Sequence, residues 1–161
     1  MNYKYIYTEM IKIAYSKAVK GKRSQYYFQE DDENIYFSEG GFFIGIMPKK
    51  YNVLDIQKLM DIANSNGHNW VTLPRLKSVL DSCDLEQYNN GCLTKDIILE
   101  GQRNRKIRTI ENDYLSVYVD DRFLKYFEKD CTFKIKGKAE SALVLENNVV
   151  AGIILPLNKN C

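Results

Sequence analysis

The chain is poor in the side chains that carry most chemistry. It has one His in 161 residues, so a histidine relay or metal site could draw only on His68. In NSNGHNWV that imidazole follows a helix pattern, where a solvated or capping role is expected. The four cysteines, Cys83, Cys92, Cys131 and Cys161, form no CxxC pair. That spacing argues for free thiols in a reducing compartment and against zinc. No GxxxxGK[ST] occurs, and no GxGxxG follows a strand pattern, so two common phosphate-cradling loops are excluded. The acidic pairs Asp31–Asp32 and Asp120–Asp121 fall at a turn and a helix start, which favour carboxylates without any metal. We therefore expect no enzyme, no cofactor, no metal and no small-molecule substrate.

Long apolar runs are missing too. None approaches the ~18 residues of a membrane span, and MNYKYIYTEM lacks the apolar stretch of a signal peptide. A cytoplasmic protein without a membrane partner is the expectation. Nor is there an excess of one charge: 23 Lys and Arg against 21 Asp and Glu leave +2. Bulk charge would not hold nucleic acid, so any such role must rest on local clusters.

What is present is an apolar content of 45%, enough for one well-buried domain at this length. YKYIY, residues 3 to 7, alternates like a strand. Thr8 is placed to cap a helix in which Met10, Ile11, Ala14, Tyr15 and Ala18 recur, with Gly21 at its end. SQYYFQ, NIYFS and FFIGIM then read as three strands, with EGG as a hairpin turn and Pro48 as a stop. From residue 114 the same order returns. YLSVYV reads as a strand with Leu115, Val117 and Val119 on one face. Asp120 caps a helix over DRFLKYFEK, with Phe123, Leu124 and Phe127 on one side. CTFKIKG, SALVLE and VVAGIIL follow as strands, ending at Pro156. Glu39 to Pro48 is one residue shorter than Glu146 to Pro156, which predicts a bulge or longer turn in one copy.

Between the copies, NVLDIQKLMDIANSNG and TLPRLKSVLDSC read as helices, the second with Thr72 near its cap and Pro74 in its first turn. YNNG reads as a turn, DIILEG as a short strand, and Trp70 as a core residue. GQRNRKIR reads as a polar connector in which Arg103, Arg105, Lys106 and Arg108 make the densest positive cluster.

Two strand–helix–strand–strand–strand units, each closing on a strand that runs into Pro, resemble the domain of the bacterial DNA polymerase sliding clamp family. VDDRFLKYFEK is similar to the clamp segment where a strand gives way to a helix. SALVLENNVVAGIILPLN is similar to the closing hairpin of the last clamp domain. The resemblance implies an α+β, DNA-clamp-like fold over residues 1–161, with repeats at 3–48 and 114–158 and a helical insertion at 49–110. It implies that the two helices face a duplex and grip phosphates without reading bases. Lys12, Ser16 and Lys20 fall at helical spacing with Lys17 alongside, and Arg122, Lys125 and Lys129 do the same in the second copy. The resemblance also places Ile154, Leu155, Pro156 and Leu157 beside a partner-docking groove. A clamp subunit carries several such domains, so this chain would encircle DNA only by self-assembling.

Two functions compete. One is a non-catalytic clamp-like protein of DNA replication that docks duplex DNA, a polymerase-type partner, or both. The other is a small phage or mobile-element interaction or inhibitor protein that binds a host protein and not DNA. The paired basic helices favour the first; the modest net charge and the missing domains favour the second.

Overall fold

Residues 3–7 do not form the strand that their alternation predicts. In the computed structural model, which describes residues 1–19, 23–101 and 104–157, they open a helix, α1 (Tyr3–Tyr15). Ile6, Met10 and Ala14 recur at i, i+4 and i+8 and are fully buried, so the helical period outlasts the short alternation. Asn2 supplies the cap, its Oδ1 accepting from the Tyr5 amide at 3.2 Å. Thr8 therefore lies inside the helix and donates its hydroxyl to the Lys4 carbonyl. The helix ends at Tyr15 with Ser16 as its C-cap; Gly21, expected to end it, lies outside the described residues. The first unit is thus a helix and three strands, without the leading strand.

Those strands are β1 (Gln25–Glu30), β2 (Asn34–Glu39) and β3 (Phe43–Pro48), an antiparallel meander. A second meander closes the chain: β9 (Thr132–Ile135), β10 (Ala142–Glu146) and β11 (Val149–Ile154). Their hairpins turn on left-handed residues, Gly40 and Gly41 in the first and Asn147 and Asn148 in the second. Val144 pairs with Gly152 while Leu145 pairs with Val150, so the ladder carries the expected bulge. That bulge accounts for the extra residue before Pro156.

The two meanders join edge to edge. β3 runs antiparallel to β11, with Gly45 opposite Gly152. A Cβ on Gly152 would stand 2.3 Å from the Ile44 carbonyl oxygen and 3.0 Å from the Phe127 ring. A Cβ on Gly45 would stand 2.7 Å from the Phe37 ring. The bare backbone at this seam lets Phe37 and Phe127 settle against it.

The middle region is less helical than expected. α2 (Ile56–Ser65) forms as predicted, capped by Asp55. Thr72, predicted near a helix cap, instead ends a strand, β4 (Asn69–Thr72), which runs parallel to β1 and buries Trp70. The second helix shrinks to α3 (Leu76–Asp81). The YNNG turn is corrected to the start of β5 (Asn89–Leu93), and β6 (Ile98–Glu100) follows. Residues 105–108 of the basic connector are corrected to the start of a strand, β7 (Arg105–Glu111). β8 (Ser116–Asp120) leads into α4 (Asp121–Leu124), which spans four residues where nine were expected. Lys129 is consequently not on a helix.

Among the described residues this makes an α+β fold with four α-helices and one large mixed sheet of eleven strands. The sheet order is β4-β1-β2-β3-β11-β10-β9-β5-β7-β6, with β8 also on β7. The Leu157 amide donates to the Tyr118 carbonyl at 2.8 Å, which brings the tail after β11 against β8. The larger core takes α1, α2 and α4 with Ile35, Phe37, Phe43, Val144 and Ile154; the smaller takes α3 with Tyr36, Ile44, Leu143 and Ile153. Alternate residues of the same strands enter the two cores, so β2, β10 and β11 read as continuous apolar runs. No helix among the described residues is long and apolar enough to cross a membrane.

Candidate functional site

The cations expected to face DNA divide into paired and unpaired groups. Asp120, 5% exposed, takes both arginines: Arg105 Nε at 2.8 Å and Arg122 Nε at 3.2 Å, each on Oδ2. Its other oxygen accepts from the Arg122 amide at 3.1 Å, so one carboxylate caps α4 and bridges two guanidinium groups. Arg122 also reaches Glu39 at 3.5 Å and lies over the Phe123 ring at 4.5 Å. Arg108 is turned to Asp121 and to the Thr94 carbonyl. These arginines are ion-paired within the structure, with the Arg105 and Arg122 side chains still 37% and 49% exposed.

The lysines differ. Lys12 is exposed and within 3.6 Å of Glu9, a surface pair that a stronger ligand could break. Lys17, Lys106, Lys125 and Lys129 are exposed and make no ion pair among the described residues. Lys125 and Lys129 share an open cavity of about 690 Å³ with Arg108, Asp121 and Glu128 over a floor of Leu124 and Phe133. Its opposite charges nearly cancel. Lys20 and Arg103, two further candidates, lie outside the described residues.

A buried hydrogen-bond chain ties β1 and β2 to the turn after α4. The hydroxyls of Tyr26 and Tyr126 are 2.7 Å apart, and Tyr126 donates to Glu39 Oε2 at 3.0 Å. Burial drives both phenols far above their ordinary range, and the Glu39 carboxylate adds to it. Both stay protonated at any physiological pH, so the chain is a structural donor relay and supplies no base. His68 is likewise structural, not solvated. It is 9% exposed, with Nδ1 accepting from the Ser24 amide at 3.2 Å and Nε2 2.9 Å from the Ser16 carbonyl. One imidazole thereby clasps both sides of the segment between α1 and β1.

Of the four residues expected to dock a partner, one, Leu155, lines a second cavity, on the α3 face. Ile154 is fully buried in the larger core and cannot contact a partner, which corrects its assignment. Leu155 is 38% exposed and lines an apolar cavity of about 330 Å³, together with Tyr27, Ile44, Leu73, Leu76 and Val79. The Leu155 amide donates to the Phe42 carbonyl at 2.9 Å, which holds the strand end at the cavity rim. Pro156 and Leu157 are half-buried beyond it and do not line the cavity.

The same cavity contains a residue that sequence reasoning missed. Ser38 is fully buried on β2, lines this cavity, and its hydroxyl has no hydrogen-bond partner among the described residues. A buried hydroxyl left unpaired costs about 1–3 kcal/mol. The only signal was a serine inside NIYFSE, a strand whose neighbours on both faces are buried.

Compared with protein-family models, curated proteins and solved structures, the chain matches none.

Proposed function

We propose that this chain is a non-catalytic, DNA-clamp-like binding protein that docks a protein partner at the end of its last strand. One observation carries the reading: half-exposed Leu155 stands at an apolar cavity whose wall holds an unpartnered hydroxyl. Apolar pockets with a few convergent polar groups are the usual form of a binding site. In this reading the α1–β3 and α4–β11 segments are a degenerate duplication whose first copy has lost its leading strand. The pairing of β3 with β11, glycine against glycine, and the seating of α1 and α4 in one core support that duplication.

The test is a titration with p-cresol, a small apolar ring with a polar tip, followed by methyl NMR. Saturable shifts confined to Leu155, Leu76, Val79 and Ile44 are expected, and Leu155→Asp should abolish them. Absence of any saturable shift would remove the docking site.

Whether the protein works on replicating DNA with a polymerase-type partner, or occupies a host protein without DNA, turns on the cations. Unpaired Lys125 and Lys129 support DNA; the ion-paired Arg105 and Arg122 support the protein-only reading. Anisotropy of a labelled duplex across a salt series separates them. Binding that falls linearly with log salt and disappears in Lys12→Glu/Lys125→Glu/Lys129→Glu favours DNA. No binding at low salt favours the protein partner alone.

A further inference from the structure

We propose that the cavity beneath α3 takes the Tyr114 side chain of a second copy of this chain, so that the protein associates head to tail. The proposal rests on the reading of that cavity as a docking site.

The cavity states its own requirement. Its walls are apolar, so a charged side chain would be desolvated there without a counter-charge. A purely apolar group would fill the space and leave the Ser38 hydroxyl as unpaired as before. An apolar body with a neutral hydrogen-bonding tip satisfies both, and a tyrosine ring is such a group. At about 330 Å³ the cavity is at the small end of ligand pockets, in keeping with one aromatic anchor. The Ser38 hydroxyl is closed to water, so an entering ring must displace part of the wall. The part that must yield is the short helix α3, whose first-turn Lys77 amide donates to Gln29 Oε1 on β1 at 2.8 Å.

The chain supplies the complementary knob. Tyr114 is 94% exposed, more than any other large apolar residue described. It is nonetheless held on a fixed stalk. Asn112 Oδ1 accepts from the amides of Tyr114 and Leu115, each at 3.0 Å, and the Asn112 amide donates to the Leu115 carbonyl at 2.9 Å. The Asn112 side-chain amide also donates to the Asn90 carbonyl at 3.2 Å, anchoring the turn to β5. With the backbone held, insertion costs the freedom of only two side-chain torsions, which is the property that makes tyrosine a frequent interface anchor.

Knob and hole belong to different parts of the protein. Tyr114 stands on the turn between β7 and β8, whose inward residues Ile110, Val117 and Val119 enter the larger core. The cavity opens on the other face, beside α3 and the smaller core. A contact between two distinct patches is heterologous, so it propagates into a ring if the rotation closes and into an open chain if it does not. Because a single side chain anchors it, the association is weak and concentration-dependent.

Light scattering over the widest accessible concentration range tests this, with p-cresol binding measured in parallel. Wild-type mass should rise with concentration, and excess p-cresol should reverse the rise. Tyr114→Ala, at a surface position where folding is not at stake, should remain monomeric throughout. Tyr114→Phe and Ser38→Ala should each weaken association about fivefold, the worth of one net hydrogen bond. Their combination should weaken it no further, because each removes the same bond. A wild-type monomer at every concentration overturns the proposal, as does association that survives Tyr114→Ala. If p-cresol binds while the wild type stays monomeric, the docking site stands and the second copy is the wrong occupant. If p-cresol does not bind, the docking site itself falls.

Discussion

Replacing Gly152 with Ala probes how tightly the two meanders are joined. The added methyl would lie 2.3 Å from the Ile44 carbonyl oxygen, a backbone atom on the paired strand that no rotamer change can move away. Reaching even a 3.0 Å contact requires β11 to slide from β3 by roughly 0.7 Å, in a core packed to crystal-like density. The methyl also meets the Phe127 ring at 3.0 Å, so displacement in that direction disturbs the packing of the turn after α4. Overpacking of this kind costs about 1–3 kcal/mol, and a strained β3–β11 hydrogen bond adds about 1 kcal/mol. We expect a loss of about 3 kcal/mol, or roughly 6–12 °C in Tm for a chain of this size. Two other glycines calibrate the result. Gly45→Ala meets the Phe37 ring at 2.7 Å and the mobile end of Met1 at 2.9 Å, so it should cost less, about 1–2 kcal/mol. Gly41→Ala meets nothing within 4 Å but has φ +77°, so only backbone strain of about 1 kcal/mol applies. Urea unfolding followed by circular dichroism, with the m-value unchanged, reads all three. A Gly152→Ala protein no less stable than Gly41→Ala would refute the tight seam.

Four further outcomes follow from buried or hydrogen-bonded groups. Ser38→Ala should raise stability by about 1 kcal/mol, because it deletes an unpaired buried hydroxyl; a clear loss in urea unfolding would mean the hydroxyl has a partner. Tyr126→Phe should cost about 1–3 kcal/mol, since Tyr26 and Glu39 both lose their shared partner, and a neutral result would show the relay is unimportant. The Tyr36 hydroxyl, with the Asn34 and Glu33 amides, holds the Asp31 carboxyl below its ordinary range. The stability Asp31 contributes is therefore full above its unfolded pKa of about 3.9 and is lost as pH falls through the lower folded value. The difference between wild type and Asp31→Asn should be constant near neutral pH and shrink in acid; a difference that persists in acid would contradict it. Burial, then the Asp130 carboxylate, pushes the Cys131 thiol up to about 11, whereas Cys92 is exposed. Iodoacetamide should modify Cys92 well before Cys131 by peptide mapping, because the thiolate is the reacting species.

The strands were legible where each residue's environment is set by its immediate neighbours. NIYFSE, SALVLE and VVAGIIL are buried on both faces and read as strands without further information. Asp120, the Asn147–Asn148 turn and the bulge are local features and were equally readable. YKYIY was not, because five residues fit a period of two as well as the first turns of a helix. Only Met10 and Ala14, one and two turns on, break the tie. Three other misreadings share a non-local cause. Arg105 and Arg108 looked like a solvated connector, yet they form a strand because Asp120 and Asp121, from the next strand and α4, meet their charges. Gly91 looked like a turn residue, yet it lets β5 pass β7, since a Cβ there would stand 2.8 Å from Ile110. DRFLKYFEK has helical spacing throughout, but its helix stops at Leu124, and Tyr126 and Phe127 reach the core from the turn that follows.

The candidate site was the least legible part for the same reason. A docking surface near Leu155 is an expectation of the clamp resemblance alone, and an unpaired hydroxyl is defined by partners that are not there. Ser38 is opposite Tyr27 on β1, below α3, and flanked by Gly40 and the end of β11, four segments spread over more than half of the chain. No window of sequence contains that arrangement. Its energetic meaning also depends on a second molecule. In an isolated chain the hydroxyl only costs stability, so alanine would be the better residue; with a phenolic group inserted, serine becomes the better one. Ser38→Ala should therefore move folding stability and self-association in opposite directions. A variant that gains stability and associates as tightly as the wild type would mean that the hydroxyl serves no ligand.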